Sequence, residues 1–290
     1  MTLAGLVAIT RPVNSLVAGL AALLVYVVAT GTLDPFALIL LPIVAFITAA
    51  GNAWNDLCDI GIDRINRPDR PLPSGKVTPE AAGVLAAALF AAGLVLTIPT
   101  GLPCAVIAVA NSLVLILYAR SLKRTMLWGN VAVSYLSASI YPFGGALAGI
   151  GAMERTLPLA GITFLAMLSR ELLKDAEDVA GDSAGGARTL AITIGVKKTG
   201  VAAYACALGA IAVSLLPVVP WWSPPYLVAI GAADVVILFG AARALRCRTP
   251  ECVKATGATG ILKAGMFLAL AVITAAALLS GNLLPGIMNR

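Results

Sequence analysis

Histidine is absent from all 290 residues. That excludes imidazole bases, His-ligated haem and the histidine-containing zinc and copper sites. Charge is almost as scarce: Asp, Glu, Lys and Arg make up 12% of the chain, against about 25% in an ordinary soluble domain. A water-facing surface cannot be covered with half the usual charge, so a cytosolic globular enzyme is excluded. The hydrophobic share of 60% and a mean hydropathy of +0.95 exclude disorder. The five cysteines (Cys58, Cys104, Cys206, Cys247 and Cys252) are scattered and odd in number, which argues against a disulfide framework. Cys247 and Cys252 lack a second pair to complete a zinc site, and are read as small buried or loop residues.

What the chain does have is long apolar runs. A spanning helix needs about 20 apolar residues. Nine runs qualify, at 14–32, 36–54, 81–100, 103–119, 129–149, 155–173, 199–218, 224–242 and 263–281. The expected fold is an all-α polytopic membrane bundle of nine transmembrane helices, one domain over 1–290. No polar cleavage region follows the first run, so it is expected to stay. Of the 20 Arg and Lys residues, 18 fall on one side of this arrangement; the exceptions are Arg155 and Arg290. The positive-inside rule then puts the N-terminus and the charged loops in the cytoplasm, and nine spans put the C-terminus outside a multi-pass cell-membrane protein. The net charge of +6 is therefore an orientation signal first. Without a soluble basic domain to carry it, a nucleic-acid partner is not expected, and no protein partner is predicted.

Eleven of the 14 acidic residues share that cytoplasmic side, mostly in two clusters. The first runs Asn55-Asp56-x-x-Asp59-x-x-x-Asp63, and the second runs Glu171-x-x-Lys174-Asp175-x-Glu177-Asp178-x-x-x-Asp182. Each starts at the cytoplasmic end of an even-numbered helix. In both, three aspartates are spaced three and four apart, which on a continuing helix places the carboxylates on one face, where like charges repel. A bound divalent cation reverses that penalty, and carboxylate oxygens suit Mg²⁺, which commonly takes one or two carboxylates plus ligand phosphates. Asn55, Asp56, Asp59, Asp63, Asp175, Asp178 and Asp182 are the candidate metal ligands.

Basic residues accompany the acids: Arg67 in the turn-rich stretch 64–76, then Arg120, Lys123 and Arg124 beside Tyr118, and Lys174 inside the second cluster. Carboxylates, cations and a metal are the parts needed to hold a diphosphate and to stabilise its charge as it leaves. No protein nucleophile is evident. A site at the membrane face of an apolar bundle suits a long apolar substrate with a diphosphate head, such as an isoprenyl diphosphate, whose allylic C1–O bond ionises once the leaving group is neutralised. A transporter reading rests only on Asp234, alone in the eighth helix and read as a hydrogen-bonded helix residue, and leaves the duplicated clusters unexplained. Gly257, Gly260 and Gly265 are read as close packing and a flexible entry to the ninth helix, not as a phosphate loop.

Both clusters resemble the paired aspartate motifs of the UbiA superfamily of intramembrane prenyltransferases. The segment Tyr118 through Lys123 and the opening Arg11-Pro12-x-Asn14 are similar to that family as well, and the resemblance covers essentially the whole chain. It implies catalytic roles for Asp56, Asp59, Asp63, Asp175, Asp178, Asp182, Lys123 and Tyr118. It also implies a Mg²⁺ cofactor and a diphosphate held by Arg67, Lys174 and Lys123. The wording Arg170-Glu171-x-x-Lys174-Asp175, with Asp63-Arg64-Ile65-Asn66-Arg67-Pro68-Asp69-Arg70-Pro71, is most similar to the branch that builds archaeal ether lipids. That branch moves a geranylgeranyl group from its diphosphate to the sn-2 hydroxyl of a phosphorylated prenyl-glycerol lipid. Arg120, Arg124 and Arg188 are then candidates for the acceptor phosphate. The alternative is an aromatic prenyltransferase acting on a quinone precursor such as 4-hydroxybenzoate.

Overall fold

Capping residues, prolines and glycines set where the helices begin. The computed structural model describes residues 2–216 and 223–279. A short α1 (Leu3–Ile9) precedes α2 (Pro12–Thr30), and a 3-10 turn over Pro35–Ile39 leads into α3 (Leu40–Cys58). Then follow α4 (Ile60–Asn66), α5 (Pro79–Val95), α6 (Leu102–Arg120), α7 (Trp128–Ala138), α8 (Ile140–Ala146) and α9 (Ile150–Glu177). The chain continues through α10 (Val179–Ala184), α11 (Leu190–Ile194), α12 (Val196–Ser214), α13 (Pro224–Arg243), α14 (Pro250–Thr256) and α15 (Ala258–Ala277). Thr78, Ser223 and Thr249 each accept a backbone N–H at a helix start, with proline next in line.

Eight of the described helical segments are long and apolar enough to cross a membrane. The fifth expected span is present but broken: α7 and α8 meet at Ser139. Pro142 lies one turn beyond and has no N–H to give to the Ala138 carbonyl, so the ladder is interrupted there. Together the two pieces run 128–146, about 28 Å at helical rise, enough to cross. The sixth span is longer than the expected 155–173, because α9 starts at Ile150 directly after Gly149 at φ 104°. The ninth starts five residues early: Gly257, at φ 62°, ends α14 and opens α15 without a linker. The far ends of the seventh and ninth expected spans, Arg290 and the C-terminus lie outside the described residues.

Several apolar cores hold the helices together. Leu40, Ile43 and Phe143 join α2, α3 and α8 in one core, while Leu159, Ile230 and Ile273 join α9, α13 and α15 in another. Small residues let backbones approach. A Cβ on Gly265 would come within 2.6 Å of Ile237 Cγ1, so only glycine fits the α13–α15 crossing. Asp234 is buried and accepts the Ser214 hydroxyl at 2.7 Å, as expected of a hydrogen-bonded helix residue. One cysteine expectation is corrected. Cys247 and Cys252 form a disulfide across the turn before α14, where the capped start of that helix brings their Cα atoms to 5.4 Å.

Candidate active site

Both acidic clusters fold the same way. Asp59 ends α3 and starts α4 at φ −95°, ψ 1°; Asp178 ends α9 and starts α10 at φ −102°, ψ 12°. The helix therefore breaks at the middle aspartate of each motif, where a continuing helix was expected. Four-residue hydrogen bonding nevertheless carries across both breaks, from Asp63 N–H to the Asp59 carbonyl and from Asp182 N–H to the Asp178 carbonyl.

The first motif is paired with cations. Arg11 donates to Asp56 at 2.6 Å, Arg70 donates to Asp63 at 2.6 Å and to Asp56 at 3.4 Å, and Lys123 donates to Asp59 at 2.5 Å and to Asn55 at 3.1 Å. Asp56 and Asp63 are buried. Arg11 sits at φ 48°, the one non-glycine residue in the left-handed region among those described. Its ion pair with Asp56 sits beside this strained residue. The second motif is built otherwise. Asp175 accepts an amide N–H from Asn130 on α7 at 2.9 Å, and no Lys or Arg lies within 4.0 Å of Asp175, Asp178 or Asp182 among the described residues. Burial raises the pKa of Asp182, neighbouring Asp178 adds to the rise, and Lys174 opposes it.

Two polar cavities meet between the motifs. The larger, about 880 Å³, is lined by Asn55, Asp59, Asp63, Arg67, Lys123 and Asp182 among others. The smaller, about 140 Å³, is lined by Asp175, Asp178, Asp182, Glu171, Lys174 and Asn130 among others. Tyr118, Lys123, Lys174 and Asp182 line both. Tyr118 and Leu115 also line an apolar cavity of about 360 Å³ running into the bundle past Ile47, Leu136 and Phe143.

Most of the expected site residues come together here. Asp56 does not line either cavity; it stands behind them, holding Arg11 and Arg70. Of the expected phosphate contacts, Arg124 lines the large cavity, but Arg120 and Arg188 line none of the three. Arg70 and Asn130 were not among the expected site residues. Arg70 sits in a proline-rich turn whose fold spacing does not reveal. Asn130 had a signal: it is a lone amide in the apolar run Trp128–Ala138.

The donors fit a hard divalent cation. Every candidate ligand is an oxygen, and the second motif offers three carboxylates unpaired with cations. Among the described residues, no three acidic or cysteine side chains converge as a ready-made metal cage.

The chain matches the model of the UbiA prenyltransferase family over residues 15–271. It is 56% identical over 279 residues to the digeranylgeranylglyceryl phosphate synthase of Methanoculleus marisnigri, covering 96% of this chain and 100% of that protein. It is 55% identical over 277 residues to the enzyme of that name from Methanoregula boonei, covering 96% and 99%. A solved structure concerning digeranylgeranylglyceryl phosphate synthase superposes with a TM-score of 0.86 at 32% identity, covering 95% of this chain and 98% of that one. A UbiA homolog from Archaeoglobus fulgidus bound to GPP and Mg²⁺ shares the fold, with a TM-score of 0.67 at 18% identity over 93% and 99% of the two chains. The chain belongs to the UbiA prenyltransferase family and is a multi-pass membrane protein.

Proposed function

We propose that this UbiA-family prenyltransferase moves a geranylgeranyl group from geranylgeranyl diphosphate to the sn-2 hydroxyl of 3-O-geranylgeranylglyceryl 1-phosphate, releasing pyrophosphate. One observation carries the donor side: a charged cavity continues, past Tyr118 and Leu115, into an apolar one. That is the shape of a diphosphate with a long chain. The named relatives, matched from end to end, favour the lipid acceptor over a quinone precursor.

Asp175, Asp178 and Asp182, with Asp59, Asp63 and Asn55, would hold Mg²⁺, which when bound neutralises diphosphate oxygens and eases departure of the leaving group. Lys123, Lys174, Arg67 and Arg124 bind the remaining negative charge. As the allylic C1–O bond breaks, its electron pair goes to the diphosphate. Lys123, fixed by Asp59 and Asn55, is preorganised where that charge grows. Tyr118, at the junction of the cavities, flanks the allylic cation and keeps water from it. The acceptor oxygen then bonds to C1 and its proton passes to a carboxylate or water. The active-site loops face the cytoplasm, in keeping with their Arg and Lys content.

The test is a product assay on purified protein with geranylgeranyl diphosphate and Mg²⁺, offering the glyceryl phosphate lipid in one arm and 4-hydroxybenzoate in the other, with EDTA controls. Metal-dependent diether phosphate in the first arm alone is the expected result. Prenylated benzoate alone would overturn the acceptor, and EDTA-insensitive product would overturn the metal.

A further inference from the structure

A second apolar cavity, about 340 Å³, lies between α9 and α15, apart from the site described above. Ile162, Met266, Leu270 and Ile273 are among its lining, and among the described residues its only charged ones are Arg170 and Lys263. The two cations stand at the same end. α9 runs toward the acidic motifs and α15 runs away from them, and the Thr259 hydroxyl donates to Glu177 at 3.0 Å where the two helices meet. Arg170 is therefore near the finish of α9 and Lys263 near the start of α15, while Ile162 and Ile273 lie about 12 and 15 Å deeper along the helices.

The charge at this mouth is not cancelled. Arg170 donates to Glu171 at 2.5 Å, and its Nε is buried without a hydrogen-bond partner. Lys263 has no carboxylate within 4.0 Å among the described residues and leans on the Phe267 ring, 5.9 Å from its centroid. Glu171 is shared between Arg170 and Lys174, 3.9 Å away, and Glu177 accepts from Thr259, so neither carboxylate is paired with Lys263. Leaving a buried guanidinium N–H unpaired beside apolar walls is costly unless an anion completes it.

We propose that this groove seats the acceptor lipid, with Arg170 and Lys263 holding its phosphate and the apolar floor taking its prenyl chain. The proposal rests on the reading of the acceptor as a phosphate-bearing prenyl-glycerol lipid. The placement suits the chemistry. Glu171 and Lys174, next along α9, line the small polar cavity, so the mouth of the groove borders the diphosphate site. A glycerol whose phosphate sits on Arg170 carries its free hydroxyl on the adjacent carbon, across Glu171 from the donor. This arrangement moves the acceptor phosphate away from the earlier candidates, since Arg124 lines the diphosphate cavity and Arg120 and Arg188 line neither.

Affinity of the full-length protein in detergent is measured for geranylgeranylglyceryl phosphate and for geranylgeranylglycerol, without donor, in wild type, Lys263→Gln and Arg170→Gln. Lys263 is exposed, so its variant keeps the fold. The phosphate is expected to tighten wild-type binding about tenfold or more, and either substitution to bring that ratio toward one with affinity for geranylgeranyl diphosphate unchanged. A ratio that survives both substitutions, or a parallel loss of donor affinity, overturns the proposal. If the wild type binds in this way yet makes no diether phosphate, the groove stands as an anionic-lipid site and the acceptor assignment falls.

Discussion

Replacing Gly129 with alanine is expected to cut turnover about tenfold while the protein stays folded. Gly129 opens α7 beneath the turn that carries Lys123. A Cβ there would lie 2.9 Å from the Leu122 carbonyl oxygen and 3.1 Å from the Lys123 Cα, where ordinary contact begins near 3.4 Å. Both neighbours are backbone, so the turn itself must retreat by a few tenths of an ångström. Lys123 reaches Asp59 and Asn55 from that turn, and in the proposed mechanism it meets the leaving group. A misplacement of about 1 Å can cost roughly a hundredfold in rate, so a shift of half that or less corresponds to about tenfold, or about 1.4 kcal/mol. The net cost to stability is about 0–2 kcal/mol. Alanine gains about 1 kcal/mol over glycine within a helix, against about 1–3 kcal/mol for crowding. Gly231→Ala in α13 is the control, because a Cβ there meets nothing within 4 Å. It should stabilise by up to about 1 kcal/mol at unchanged kcat. Steady-state turnover in detergent, with thermal unfolding of each variant, reads both effects. Wild-type turnover in Gly129→Ala, or an equal loss in Gly231→Ala, would refute the reasoning.

Lys123→Met should lower kcat by about 10²–10³, the usual loss when a preorganised donor to a developing anion is removed, and an unchanged kcat in rapid-quench turnover would remove Lys123 from the mechanism. Asp182→Asn should raise the unfolding temperature of metal-free protein and depress turnover, because burial and Asp178 disfavour its ionised form. The sign for pH follows. A carboxyl whose folded pKa is raised contributes stability that is full below its unfolded pKa and lost as pH rises through the folded one, so metal-free wild type should gain stability on acidification through that range and Asp182→Asn should gain less. Ser137→Phe should fill the apolar cavity beyond Tyr118 and shift donor preference from geranylgeranyl toward shorter diphosphates, measured by competition between chain lengths.

Class, helix number and the two acidic motifs were legible along the chain, because each rests on local chemistry. Scarce charge and apolar runs of spanning length leave little but a membrane bundle, and the three-and-four spacing of aspartates survives any helix that roughly continues. The arginines that pair with Asp56 and Asp63 were not legible in the same way. Arg11 is 45 residues from its partner, and Arg70 reaches back across a proline-rich turn, so tertiary folding chose them from several nearby cations. Asn130 meets Asp175 only because α7 packs against α9.

What the sequence by itself determined is therefore the bundle, its charged face and the duplicated carboxylates, all set by composition and by periodicity within single helices. Only the tertiary structure decided which cations hold which carboxylates, and that Arg170 and Lys263, 93 residues apart, share the mouth of one apolar groove. The reason is physical. Contacts between antiparallel helices depend on crossing angle and register, which glycines such as Gly265 set by letting two backbones approach, and a one-dimensional pattern carries no record of either.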